Sequence, residues 1–117
     1  MINRRRVAAF VVCWTVAVGT WALPAVAATS VSVSAGKPSE YKFTLSKKSV
    51  KAGSVTFTVS NKGKIPHDFS IGGKKTKLIR PGKSATLKVT LKKGSVSFKC
   101  TVSGHAQAGM KGTLKVT

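Results

Sequence analysis

The chain has 117 residues, 21 of them Lys or Arg and only two acidic, Glu40 and Asp68, so its formal charge is +19. That length is one domain's worth and leaves no room for a large two-domain enzyme. Hydrophobic residues make up 42%, too many for a disordered basic tail. The charge alone therefore does not make the chain a nucleic-acid binder.

The first 27 residues read as an export signal. Arg4-Arg5-Arg6 is followed by an apolar run from Val7 to about Leu23, then Pro24-Ala25-Val26-Ala27. A positive start, an apolar stretch, a helix-breaking Pro and small residues at an Ala-x-Ala site are the order of a secretory signal, with cleavage expected after Ala27. An uncleaved anchor is the alternative, although the apolar run lies at the lower limit for a spanning helix. Asn3-Arg4-Arg5 also resembles the start of a twin-arginine signal, with a loose match in the residues that follow. Cleavage takes away both Trp, Cys13 and three Arg, and leaves residues 28–117 as one domain with 18 basic and two acidic residues, a net +16. It also leaves Cys100 as a lone thiol. In an oxidising compartment that calls for an intermolecular bridge, a reactive thiol or a metal ligand.

Past residue 28 no stretch has a helical period. Apolar groups instead recur on every second residue at Val31/Val33, Tyr41/Phe43/Leu45, Val55/Phe57/Val59, Phe69/Ile71, Ala85/Leu87/Val89/Leu91, Val96/Phe98/Cys100 and Leu114/Val116. Period two with one polar face predicts half-buried strands. Gly-rich punctuation separates them at Gly36, Gly53, Gly63, Gly72-Gly73, Gly82 and Gly94. About seven short strands predict an all-β fold, an antiparallel sandwich or small barrel. Lys42, Lys88, Lys99 and Lys115 fall on the outward parity of their strands, whereas Phe43, Phe57, Phe69 and Phe98 fall on the inward one.

The chemistry concentrates in Cys100-Thr101-Val102-Ser103-Gly104-His105-Ala106-Gln107-Ala108-Gly109-Met110, a C-x4-H-x4-M spacing. The only other histidine, His67, follows Pro66 at a loop-to-strand junction. Singly, each has a plainer reading: a buried thiol, a loop histidine, a Met that fills the core. Jointly they are the ligand set of a mononuclear copper electron-transfer site, three strong ligands with a weak axial thioether. Soft sulfur suits Cu(I) and imidazole also accepts Cu(II), so neither redox state is strongly preferred.

On those residues the chain resembles the cupredoxins, the blue-copper family of plastocyanin, azurin and auracyanin, over residues 30–117. Cys100…His105…Met110 running into Lys111-Gly112-Thr113-Leu114 is similar to an azurin-like ligand loop. Asn61-x-Gly63 with Pro66-His67 is similar to a plastocyanin-like first-ligand region. The resemblance implies a Greek-key sandwich of seven to eight strands, with His67, Cys100 and His105 as equatorial ligands and Met110 as the axial one. It implies a hydrogen bond from the Asp68 backbone to the Cys100 sulfur, and a tie between the ligand loops through the side chains of Asp68 and Thr101. It further implies that His105 reaches the surface as the electron port, ringed by Ile65, Pro66, Ala106, Ala108 and Gly109. Lys99, pointing outward beside Cys100, marks a second route. Two departures stand out. Asp68 replaces the family's common Asn, and a carboxylate there favours Cu(II); and no Pro lies between Cys100 and His105.

The expected function is an exported, monomeric one-electron carrier, periplasmic or extracellular, with one copper and a transient acidic redox partner steered by the lysines. The alternative is a copper scavenger or metallochaperone. An enzyme is not expected, because copper oxidases and nitrite reductases need further His-rich sites and both histidines are already used. Specific nucleic-acid recognition lacks equipment: no Trp past residue 27, inward Phe residues, and Arg80 as the lone fork. Non-specific adhesion to anionic surfaces or polymers fits the charge.

Overall fold

A computed structural model describes residues 28–117, and the export signal expected at 1–27 lies outside the described residues. Strands account for all the regular structure there: β1 (Thr29–Ala35), β2 (Phe43–Leu45), β3 (Ser49–Val50), β4 (Gly53–Asn61), β5 (Ser70–Ile71), β6 (Lys74–Lys75), β7 (Ser84–Leu91), β8 (Gly94–Lys99) and β9 (Lys111–Val116). Among the described residues no helix is long and apolar enough to cross a membrane. All seven alternating segments contribute a strand. The two additions, β3 and β6, are two residues each and too short to carry a period.

The strands form two sheets, ordered β2-β1-β4-β7 and β3-β9-β8-β5-β6. The pairing is not wholly antiparallel, the arrangement expected from about seven short strands separated by turns. β1 runs parallel to β4 from Thr29↔Val55 to Ala35↔Asn61, and β3 runs parallel to β9. A parallel pair needs a crossover rather than a hairpin. Residues 36–52 supply it: β2 folds back on the outer edge of β1, β3 joins the opposite sheet, and β4 returns alongside β1.

The inward positions meet between the sheets. Val31, Val33, Val55, Phe57, Val59, Val89 and Leu91 from one sheet face Ile71, Phe98, Leu114 and Val116 from the other, all buried. Phe69 packs against Phe43, Phe57 and Phe98 at centroid separations of 5.2, 5.3 and 5.6 Å. Outward parity holds as well: each of the 18 basic residues in 28–117 is exposed.

One predicted strand position moves. Tyr41 lies in a turn before β2 rather than in it, because Gly36 N–H donates to Lys42 O and Lys42 N–H to Ser39 O, closing a loop. That loop carries Glu40 and Tyr41 to the end of the sandwich where the β4–β5 and β8–β9 loops also meet. Gly36, at φ +82°, permits the close approach: a Cβ there would stand 2.6 Å from Gly63 Cα.

Candidate metal centre

His67 sits on backbone pinned from both sides. Its N–H donates to Ile79 O at 3.1 Å, and Ile79 N–H donates back to His67 O at 2.7 Å. The buried Asn61 amide stitches the preceding turn, donating to Ile65 O and Ile79 O at 2.8 Å each while accepting from Gly63 N–H at 2.9 Å. Cys100 lies one residue beyond β8, where the β8–β9 ladder gains one more rung: Cys100 N–H donates to Met110 O at 3.0 Å. Cross-strand neighbours share a face, so Cys100 and Met110 both enter the interior, at 1% and 0% exposure. Between them Met110 N–H donates to His105 O and His105 N–H to Val102 O, with Gly104 turning at φ +82°. The nine-residue excursion thus folds His105 back over Cys100.

The donor atoms converge. His67 Nδ1 is 3.2 Å from His105 Nδ1, Cys100 Sγ is 3.5 Å from the same nitrogen, and one ligand atom from each residue lies within 4.8 Å of the others. Tetrahedral bonds of about 2.0–2.3 Å to a first-row metal put donors about 3.3–3.6 Å apart. Two imidazoles and a thiolate at this spacing suit a copper ion. Met110 comes to the same end of the core through its ladder position.

The surroundings are polar and satisfied. Asp68 N–H donates to Cys100 Sγ at 3.5 Å, while the Asp68 carboxylate accepts from Thr101 N–H at 2.5 Å and from the Thr101 hydroxyl. These bonds join the loop carrying His67 to the loop carrying Cys100. The second His67 nitrogen, Nε2, lies 2.9 Å from Glu40 Oε1. Glu40 also accepts from Lys64 N–H and Ile65 N–H at 3.0 Å, bonds that hold its carboxyl below the usual range. The sequence reading missed Glu40. Its signal was rarity, one of two acids in a chain with 21 bases.

His105 differs from its expected exposure. Its residue is buried, 8% exposed against 0% for His67, so it reaches the surface through a narrow window. Tyr41 explains this by packing edge-on against the imidazole, centroids 5.1 Å apart. Pro66 and Ala108 are exposed nearby in the chain, Ile65, Ala106 and Gly109 half-buried, and Lys99 exposed on the flank.

Burial pushes the Cys100 thiol above its usual value of 9.0, against the opposing Asp68 N–H, and pushes His105 below 6.5 with help from His67. The unfolded chain therefore binds more protons at His105 as pH falls below 6.5, and loses the Cys100 proton first as pH rises past 9.0. The metal-free protein is expected to be most stable between those values, weakening on both sides. Urea unfolding midpoints at pH 5, 7.5 and 10 check this; a midpoint highest at pH 5 or 10 contradicts it.

A family model for the cupredoxin-like domain matches residues 7–116. The comparison with curated proteins gives no match. Among solved structures, the chain is similar to Na-dithionite-reduced auracyanin from Roseiflexus castenholzii, with 23% identity and a TM-score of 0.64 over 77% of this chain and 98% of that one. Auracyanin A of Chloroflexus aurantiacus, a "blue" copper protein, gives 17% and 0.61 over 76% and 98%. Rusticyanin of Thiobacillus ferrooxidans gives 21% and 0.65 over 75% and 76%. With the family model spanning nearly the whole chain and a buried His67–Cys100–His105 group that fits a single mononuclear type 1 copper site, the chain belongs to the cupredoxin family.

Proposed function

We propose that the protein is an exported one-electron carrier, in which His67, Cys100, His105 and Met110 would hold one copper ion. The observation that carries this reading is the buried convergence of two Nδ1 atoms and one thiol, braced by a backbone N–H on the sulfur. Bound there, copper would supply a one-electron couple, with imidazole nitrogen suiting Cu(II) and soft sulfur suiting Cu(I).

The protein's own part is to keep the ligands still. His67 is fixed by the Ile79 bridge, Cys100 by the ladder rung to Met110, and the two loops by Asp68 and Thr101. Ligands that do not move between oxidation states need little rearrangement as an electron passes. Burial keeps water from the donors, the His105 window beside Tyr41 is the exit, and in this reading Ile65, Pro66, Ala106, Ala108 and Gly109 form its apolar rim. Such a small apolar area suits brief docking. Eighteen exposed cations against two acidic side chains, one buried and one half-buried, among residues 28–117 favour an acidic partner, approached by long-range attraction. The segment 1–27 is the export signal in this reading. No enzymatic role is proposed, because both histidines of the chain belong to this one centre.

The test is optical and electrochemical. Purified protein titrated with Cu(II) should take up one equivalent, turn intensely blue and give a reversible voltammetric wave. A colourless product sinks the copper reading; very tight Cu(I) binding with irreversible oxidation replaces the carrier by a chaperone. In the same assay Asp68→Asn should raise the potential, because a charge near the thiolate that favours the higher oxidation state is lost. An unchanged or lower potential contradicts that role for Asp68.

A further inference from the structure

The geometry points to Glu40 as a positioning residue for the metal centre: it sets which His67 nitrogen faces the cluster, and it lays a fixed negative charge behind that imidazole. This rests on the copper reading above.

The hydrogen bond from His67 to Glu40 selects the tautomer of the ring. A carboxylate only accepts hydrogen bonds, so His67 Nε2, 2.9 Å from Glu40 Oε1, carries the ring hydrogen. In the neutral ring that binds a metal, Nδ1 is then the bare nitrogen, and it is the one 3.2 Å from His105 Nδ1 and inside the donor cluster. A ring held from behind by a carboxylate is also a more basic ligand.

The carboxylate also has a built seat. Lys64 N–H bonds both oxygens at 3.0 Å and Ile65 N–H bonds Oε1 at 3.0 Å, so Glu40 is clamped to the turn that leads into His67. Gly63 makes the room. A Cβ at that position would stand 2.5 Å from Glu40 Oε1. Backbone contact between Gly36 and Gly63 brings the two loops close enough for the bond to form.

The charge distribution acts in the same direction. The chain has two acidic residues, and both lie at this centre: Asp68 gives its backbone N–H to the Cys100 sulfur and its carboxylate to the adjoining Thr101, and Glu40 stands behind His67. Every basic residue of 28–117 faces solvent. The negative charge thus lies where a divalent ion gains more from it than a monovalent one.

The experiment compares full-length wild type, Glu40→Gln and Gly63→Ala, each checked for folding without metal. Cu(II) and Cu(I) affinities, visible spectrum and reduction potential are measured separately. Glu40→Gln keeps an acceptor oxygen for His67 and removes the charge. It should stay blue, lose about tenfold to a hundredfold in Cu(II) affinity and lose less in Cu(I) affinity. Each tenfold difference between the two appears as a rise of about 59 mV in potential for one electron. Gly63→Ala, which keeps the charge but pushes it off its seat, should move the potential the same way, and it carries the test if Glu40→Gln does not fold. A blue wild type with unchanged potential and Cu(II) affinity in the folded variants overturns the role of Glu40 alone. A wild type that never turns blue overturns this inference together with the copper reading.

Discussion

Cys100→Ser is expected to abolish the intense blue absorption of the copper-loaded protein and to cut Cu(II) affinity by more than about a hundredfold, beyond what outer-shell changes cost. The colour requires a thiolate bonded to Cu(II), and a serine hydroxyl neither ionises readily nor offers a soft donor. The fold should survive the change. Serine is smaller than cysteine, the ladder bond from residue 100 to Met110 O uses backbone only, and Asp68 N–H can donate to the new oxygen. A Cu(II) titration followed in the visible region checks it, with metal-free melting as the control for folding. A variant that stays blue removes Cys100 from the ligand set.

The second large effect falls on stability. Phe69→Ala should destabilise the metal-free protein by about 3–5 kcal/mol. That is a large share of the roughly 5–15 kcal/mol that holds a domain together. Phe69 is 0% exposed and touches Phe43, Phe57 and Phe98, so its ring joins β2, β4 and β8 across both sheets. Three aromatic rings wall the site from both sheets, so truncation leaves a large cavity, which places the cost in the upper part of the range. Urea unfolding without copper measures it, since bound metal adds stability by mass action and masks the loss. A change below about 1 kcal/mol would mean that the aromatic cluster is not the centre of the core. Because Phe69 follows His67 and Asp68 directly, the same cavity loosens the first-ligand strand, and copper affinity should fall with stability.

Core and site were legible to different depths. Alternation from Val55 to Val59 and from Ala85 to Leu91 named the buried face of β4 and β7, because the side-chain period of a strand is a property of the backbone. Parity also separated Phe98 and Cys100, inside, from Lys99, outside. Alternation is silent about direction, however, and the parallel pairing of β1 with β4 depends on how residues 36–52 cross between the sheets. Tyr41 shows the same limit: it continues the parity of Phe43 and Leu45, yet hydrogen bonds around Gly36, Ser39 and Lys42 take it out of the strand and set it against His105.

By itself the sequence determined an all-β chain, its inner and outer faces, and the residue types able to hold a metal. Those follow from backbone period and donor chemistry, which are local. Only the tertiary structure decided what surrounds the donors. Glu40 meets His67 across 27 positions, a contact created where loops from both sheets meet at one end of the sandwich, whereas the Asp68–Thr101 tie across 33 positions is already implied by the family resemblance. No local pattern encodes such a meeting, since it depends on crossover topology and on the room left by Gly36 and Gly63. The charge of +19 changes meaning accordingly. The cations lie on the outside because strand parity and turns put them there, whereas the tertiary fold turns the two anions inward to the metal centre.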